Sequence, residues 1–570
     1  MRHSPSHVAS TPPVSMVDLV TSTPQLECAI ARLAERKTNW LQVSLAQRIQ
    51  YLQQCCTRLE AVAEAWVEAG CRAKGIDPAS ALAGEEWMTG PVCTMLGINA
   101  LIQSLQAQGQ PQPLRVTTRP DGQTVARVFP ASWSDRLLWL GFQCDVWLQP
   151  GHPPTQGFGY RQPSTTGTVG LVLGAGNVAA IAPLDVLYKL FVENQVVLLK
   201  LNPVNDYLGE FLLAALHPLL RDGFLAIATG DAAVGQFLCH HPQIDTIHIT
   251  GATQTYDAIV WGENPAEQTA RKAAQTPVLT KPITAELGGV TPIVVVPGRW
   301  SGAELRFQAR HVASMVAHNA SFNCVAGKVL VLAKDWPQRE AFLALVQETL
   351  AQTPPRTAYY PGAQERYQAF LDRYPQAKPL GDRTESVVPW TLILDVPPQA
   401  GEYALSTEAF CGVLAEVSLP GATATDFLAE AIPFVNDCLW GNLSCVVLVD
   451  PRTQRQAHAA LDRAIADLRY GAIGINAWTG VLFGIPGATW GAFPGNPPQA
   501  IQSGCGVVHN AYLFEQPQKS VLSAPFQIVP TPTWFADHRN LQAVARWYAQ
   551  FLLNSRWQTL TKLFWAALKG

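Results

Sequence analysis

Between residues 165 and 253 the chain alternates short apolar runs with amphipathic ones, and this alternation limits its fold more than any other feature. GTVGLVLGAG reads as a strand ending in glycines, LDVLYKLFVEN as a helix and QVVLLKLN as an apolar strand. EFLLAALHPLLRDG then reads as a helix, FLAIATG as a strand, AAVGQFLCHH as a helix and DTIHITGA as a strand. Strands separated by helices at this spacing predict a parallel sheet with crossover helices. A second α/β stretch follows over 290–480, with PIVVVPG, KVLVLAK, TLILDV, LAEVSLP, SCVVLVD and GAIGIN as its strands. The fold class is therefore α/β.

Other textures flank this core. Residues 25–110 carry apolar positions at three- and four-residue spacing and predict helices. In LRVTTRPDGQTVARVFP two β-rich runs flank Pro120-Asp121-Gly122, a hairpin signal. The Gly/Pro/Trp-rich section 480–506 reads as loop. Residues 538–570 hold five Lys/Arg and no acidic residue, with Leu541, Val544, Tyr548 and Phe551 on one helical face. That tail reads either as a basic helix on an anionic membrane surface or as a helix docked on the body or on another subunit, and docking is the simpler reading.

At 570 residues the chain exceeds one ordinary core. The expected division is a floppy polar tail over 1–20, and N-terminal helices, hairpin arm and cofactor-binding domain over 21–290. A catalytic domain follows over 291–490, then closing loops over 491–537 and an amphipathic helix over 538–570. The polar, Pro-rich start has no apolar h-region, so it does not read as a signal peptide. The composition, 48% hydrophobic and 15% charged, fits a packed globular chain. A net charge of −3 gives no reason to expect a nucleic-acid partner. Twelve scattered cysteines without a C-x-x-C pair predict reduced thiols, a cytoplasmic setting and no metal site.

One of those cysteines, Cys324, lies in ASFNCVAGK between a polar loop and the apolar run VLVLA. Taken alone it is more readily a small core hydrophobe than a nucleophile. Its neighbours in the sequence change the balance. GTVGLVLGAGN, VVLLKLNP, ATGDAAVGQFLCHHPQIDTIHITGAT, TAELGGVTP, NASFNCVAGK, TEAFCGVLAEV, GAIGIN and QSGCG, in that order, resemble the motifs of the aldehyde dehydrogenase superfamily. The resemblance covers roughly residues 20–515, and E-L-G-G followed by C-x-A-G is its most specific part.

The resemblance implies a Rossmann-like cofactor domain, a catalytic α/β domain and a hairpin-containing oligomerisation arm, assembled as a homodimer. It implies NAD or NADP as cofactor and an aldehyde as substrate. Cys324 would be the nucleophile, Asn177 an oxyanion donor with the Cys324 backbone N–H, and Glu286 the general base. Lys200 would hold the adenosine ribose and Glu408 the nicotinamide ribose. Gly251 and Ala252 would meet the pyrophosphate, and Gly230, Gly235, Leu287 and Phe410 complete the implied cofactor site. The chemistry is coherent: a thiolate attacks a carbonyl readily and leaves a hydrolysable thioester.

Each residue also has a plain structural reading. Asn177 could be a turn residue, Glu286 a solvated loop charge, Lys200 a snorkelling strand end, and Gly288 and Gly289 turn glycines. The chain also departs from the family pattern. Ala175-Gly176 stands where the family has Pro-Trp, Ser321-Phe322 where it has Gly-Gln, and Tyr256 where the helix after TGAT has a glycine. Pro203 replaces the glutamate common in NAD-selective members, so NADP should be accepted at least comparably. The bulky groups Trp478, Leu482, Phe483, Trp490 and Phe493 hint at an apolar substrate. An acyl-CoA reductase of the same fold and an inactive binding scaffold are the competing readings.

Overall fold

The computed structural model describes residues 18–570. The expected floppy tail therefore lies mostly outside the described residues, and the chain is held from Val20, which bridges to Ala228 on the rim of the first sheet.

The first sheet has the strand order Gly504–Cys505, Ile283–Leu287, Thr246–Gly251, Val169–Leu173, Val196–Lys200 and Leu225–Ala228. The last five are mutually parallel, as the helix–strand alternation requires, and Gly504–Cys505 closes one edge antiparallel. Val169–Leu173 and Val196–Lys200 are buried along their whole length because helices cover both sides, whereas Thr246–Gly251 turns one polar face, Thr246, His248 and Thr250, toward its neighbours. The order reverses at Val169–Leu173, whose neighbours are the second and fourth strands of the unit. At such a switch point the loops leave in opposite directions and a crevice opens beyond the carboxyl ends. Asn177, Lys200, Gly251 and Leu287 all sit at or just past those ends.

The second sheet has eleven strands, and Pro292–Val295, Val329–Ala333, Val413–Leu419, Ser444–Leu448 and Ala472–Ile475 form its parallel centre. The sequence places all of these correctly. It does not anticipate what joins them. The hairpin Arg115–Thr118 and Thr124–Phe129 is not a detached arm. It continues through Gln143–Leu148 into Pro517–Ser523, which runs parallel to Ala472–Ile475. The arm thus extends the sheet of its own chain. Arg119, beside the predicted turn, donates to both Asp462 oxygens at 2.7 and 2.9 Å and clamps the hairpin to the helix His458–Asp467.

The C-terminal tail is two helices, Leu541–Leu553 and Trp557–Ala567, not one. Asn554-Ser555 interrupts them, two short polar residues that compete for backbone hydrogen bonds. The first helix docks on Ala83–Trp87, and the approach is very close. A Cβ on Gly84 would lie 2.5 Å from the Leu541 carbonyl carbon. Gln542 donates to Pro78 O at 2.6 Å, and Asn99 to Leu552 O at 3.1 Å. No helix among the described residues is long and apolar enough to cross a membrane.

Candidate active site

Cys324 follows the helix Gly302–Ala317 through a loop in an uncommon conformation. Asn319, Ala320 and Ser321 all have positive φ, at 53°, 53° and 68°. Three successive non-glycine residues in that region cost roughly 1 kcal/mol or more apiece, so something else must hold them. The holder is a buried polar cluster. Lys74 Nζ donates to Glu86 Oε1 at 2.8 Å, to Asn319 Oδ1 at 3.1 Å and to the Asn177 carbonyl at 3.2 Å. Asn319 Nδ2 donates to the same Asn177 carbonyl at 3.0 Å, and Tyr359 OH donates to it at 3.1 Å. Glu85 accepts from the Asn319 N–H and pairs with Arg356 at 3.0 Å. Burial opposes these charges, but the partners win: Glu86 keeps Lys74 above its ordinary range and Arg356 keeps Glu85 below its own. The N-terminal helices therefore bolt Asn177 and the cysteine loop together.

Within this frame Cys324 is half-buried at the wall of a cavity of about 110 Å³. No hydrogen bond engages its backbone N–H among the described residues. Asn177 is buried, and one of its amide hydrogens goes to the Phe322 carbonyl at 3.2 Å, leaving the other free. Burial and the carboxyls of Glu286 and Glu408 push the Cys324 thiol well above its usual range, with Lys328 acting in the opposite direction. The resting thiol is therefore protonated and needs a base.

Glu286 ends the strand Ile283–Leu287 and lies beside the Cys324 thiol and the Trp490 indole. Burial, with help from the charge of Asp185, raises its carboxyl to about 8. Its Oε1 has no hydrogen-bond partner. The solvated-loop reading is thus wrong for Glu286, since it is almost fully enclosed. Asp185 belongs to no motif of the sequence. It lies 3.5 Å from His248 and 3.6 Å from His509, accepts from Thr250 at 2.9 Å, and stays ionised: burial opposes its charge, but the two imidazoles hold its carboxyl down to about 2. The charge of Asp185 thus adds to burial in keeping a proton on Glu286.

Glu408 is packed so closely on the E-L-G-G turn that a Cβ on Gly288 would stand 1.9 Å from its Oε2. Here Gly288 is required for approach, not for a turn. Burial lifts Glu408 to about 7 against the pull of Lys328, the Gly289 N–H and Arg366. Lys328 is itself fully enclosed, and burial lowers its own affinity for a proton. It is the cation of the site. Its signal in the sequence is the lysine closing C-x-A-G-K, four positions beyond the cysteine.

Of the implied cofactor residues, Lys200, Gly251 and Ala252 lie along the carboxyl edge of the first sheet. Lys200 is nearly buried, and its ammonium makes no hydrogen bond or ion pair among the described residues. Burial lowers its hold on its proton, partly offset by Asp231. Gly251 and Ala252 precede the helix Thr253–Trp261, whose first N–H groups point past them, and Thr253 Oγ1 is buried without a partner. Gly230 has φ +141°, and Gly235, one turn into the next helix, faces open space. Leu287 is buried in the first core, while Phe410 packs between Phe322 and Tyr360 beside the lysine-lined turn. An orphaned ammonium, a free helix N-terminus and unpartnered carboxylate oxygens on Glu286 and Glu408 suit a dinucleotide with a pyrophosphate and ribose hydroxyls.

The cavity at Cys324 is lined mainly by apolar groups, among them Trp478, Phe483 and Trp490. Two residues expected there are elsewhere: Leu482 is buried in the core, and Phe493 lies against Lys519. Trp478 also fixes the cysteine loop by donating to Val325 O at 2.8 Å. No motif announces the opposite wall. It comes from Trp139 of the arm, and from Trp534, Leu541 and Tyr548 near the C-terminus.

The model of the aldehyde dehydrogenase family matches residues 167–486, more than half of the chain. The 4-trimethylaminobutyraldehyde dehydrogenase of Mus musculus is 37% identical over 73 residues, 13% of this chain and 12% of that protein. The betaine aldehyde dehydrogenase of Vibrio vulnificus (strain CMCP6) is 32% identical over 74 residues, 13% of each. The chain thus aligns with only about an eighth of the length of these curated relatives. Among solved structures, an NAD-dependent aldehyde dehydrogenase from Sinorhizobium meliloti superposes with a TM-score of 0.60 at 19% identity, covering 89% of this chain and 88% of that one. An NADP-dependent glyceraldehyde-3-phosphate dehydrogenase from Bacillus halodurans C-125, complexed with NADP, gives 0.59 at 18% identity over 88% and 92%.

Proposed function

Because the chain belongs to the aldehyde dehydrogenase family, we propose that it oxidises an apolar aldehyde to the carboxylic acid with NAD or NADP, carrying the acyl group on Cys324. The observation that carries this reading is the pairing of a half-buried thiol with a neutral buried carboxyl, Glu286, at the base of one apolar cavity.

The chain's own groups divide the work. Glu286 in its ionised form takes the thiol proton, and Cys324 Sγ then bonds to the aldehyde carbon. The charge that develops on the aldehyde oxygen is met by the free Cys324 N–H and the free amide hydrogen of Asn177. Lys200, Glu408 and the Gly251–Ala252 turn would hold a nicotinamide dinucleotide, which when bound supplies the acceptor for hydride. Once the adduct carbon has given up its hydride, the acyl group stays on Cys324 and Glu286 passes the thiol proton to solvent. Water then adds to the acyl carbon as the ionised Glu286 takes its proton, the carbon–sulfur bond breaks, and the thiolate regains a proton as the carboxylic acid leaves. The tryptophan-rich walls exclude bulk water and favour an alkyl or aryl chain.

The test is cofactor reduction with a panel of aldehydes, with and without coenzyme A. Cys324→Ala should abolish both the first turnover and steady-state activity. Glu286→Gln should slow both the first turnover and steady turnover by about 10²–10⁴-fold, because it removes the base that acts on the thiol and on water. In the wild type the rate should rise with pH through about 8, as Glu286 loses its proton, and the variant should lack that limb. Normal turnover by Glu286→Gln together with strong acceleration by coenzyme A would replace this reading with the acyl-CoA reductase.

A further inference from the structure

The last helix, Trp557–Ala567, uses one face for packing and leaves another bare. Leu560, Leu563 and Ala566 close a small core with Val544 and Phe551 of the preceding helix. On the other side Trp557, Phe564, Trp565 and Leu568 fall at spacings of seven, one and three residues, which is one helical face. Trp557 and Trp565 are each 65% exposed. This face does not end at the helix. Trp557 stacks on Trp133 of the arm, itself 56% exposed, with ring centroids 6.3 Å apart. An apolar surface of this kind marks an interaction site.

Its charge identifies the occupant. Arg556 and Lys569 bracket the last helix and Arg136 lies in the helix that carries Trp133, beside Asp135, while Lys562 turns away onto the Trp547 ring; none of the four cations forms an ion pair among the described residues. The segment 538–570 has no carboxylate side chain at all. A second copy of the chain would bring the same patch about a twofold axis and set these cations against each other. An anionic bilayer surface meets both needs, with headgroups for the cations and an interfacial layer that accepts tryptophan.

The position of the patch gives it a use. Trp133 rims a second cavity, which shares Leu96, Trp139, Gly484 and Tyr548 with the cavity at Cys324. We propose that the Trp133–Trp557–Trp565 face docks on an anionic lipid surface and sets the mouth of the substrate cavity against it, so that aldehydes dissolved in the bilayer reach Cys324. The docking stands on the surface alone; the delivery of substrate rests on the catalytic reading above.

The experiment uses the full chain and vesicles of phosphatidylcholine with and without phosphatidylserine. The protein should co-sediment with the anionic vesicles, and high salt should weaken the association. Trp565→Glu combined with Leu568→Glu, both exposed and outside the cavities, should lower the partition coefficient by about tenfold or more. The double variant should oxidise a short soluble aldehyde at the wild-type rate but lose turnover of a long-chain aldehyde presented in vesicles. Absence of vesicle binding in the wild type, or binding unaltered in the variant, overturns the docking. A homodimer that the double variant dissociates, without vesicle binding, assigns the face to a second copy instead. Loss of vesicle binding with unchanged turnover of the vesicle-borne aldehyde overturns the delivery.

Discussion

Two regions enclose the thiol of Cys324, and they are made in opposite ways. One is the carboxyl edge of the first sheet with the turns beyond it, where Glu286 and Asn177 stand near the cysteine loop and Lys200 and Gly251 lie farther along the same edge, each at the end of a strand or in the loop that follows. The other is the wall of Trp139, Trp534, Leu541 and Tyr548, assembled from the arm and the C-terminal helices. The first region is polar, strained and held by buried charge; the second is apolar and held by packing. The difference teaches that chemistry and selectivity are separable here. Substitutions in the first should change what the enzyme can do, and substitutions in the second what it does it to.

The largest effect that tests this division lies in the buried frame. Lys74 and Glu86 are each only 2% exposed at the side chain. Removing one member of such a pair leaves the other charge buried and alone, which costs about 3–5 kcal/mol. Lys74→Met should therefore lower stability in denaturant unfolding by about that amount, and should also release the Asn177 carbonyl and Asn319 from their shared donor. Adding Glu86→Gln should recover much of the stability. It should not recover activity, because the left-handed loop before Cys324 would still lack the lysine. Equal recovery of both would mean that the cluster is a structural tie without influence on the site.

A smaller effect separates the two regions by pH. In the unfolded chain Glu286 loses its proton near 4.5, whereas in the folded chain burial keeps it to about 8. Between those values the unfolded state binds fewer protons, so rising pH favours unfolding. The stability that Glu286 leaves intact at low pH is progressively lost up to about pH 8. Glu286→Gln removes this slope, and the variant should gain on the wild type by up to a few kcal/mol at about pH 9 while matching it near pH 4. A residual slope should persist, because Glu408 is raised to about 7 in the same way. A variant whose melting temperature tracks the wild type at every pH would show that Glu286 is solvated after all.

The same contrast explains what can be read from the sequence. The strands, the crossovers and the hairpin are local, and the pattern of apolar residues specifies them. The residues of the first region are legible because each sits in a short motif at a strand end. The frame beneath them is not: Lys74 and Asn319 are separated by 245 positions. Ala320 at φ 53° carries no turn signal, and Asp185 lies inside an apolar helix that reads as ordinary core. The place of the arm in the second sheet is not legible, because the strand pairing that absorbs it, between Gln143–Leu148 and Pro517–Ser523, joins segments far apart in the chain. The break at Asn554-Ser555 does carry a signal, but the apolar periodicity on both sides hides it.

The smallest expected effect probes the apolar wall itself. Tyr548 comes from the helix Leu541–Leu553 and borders both the cavity at Cys324 and the one beside it. It makes none of the hydrogen bonds that hold the cysteine loop. Replacing it with alanine removes an aromatic surface that an alkyl chain would lie against, and burying a chain on that surface is worth about 1.5 kcal/mol. KM for a long-chain aldehyde should rise about tenfold, in line with that energy. KM for an aldehyde of only a few carbons should change less, because a short chain offers less surface to this wall. The rising limb near pH 8 should also be retained, since Glu286 keeps its surroundings. If KM instead rose equally for both aldehydes, or the limb moved, Tyr548 would be supporting the catalytic groups rather than touching substrate, and the separation of the two regions would fail at their shared border.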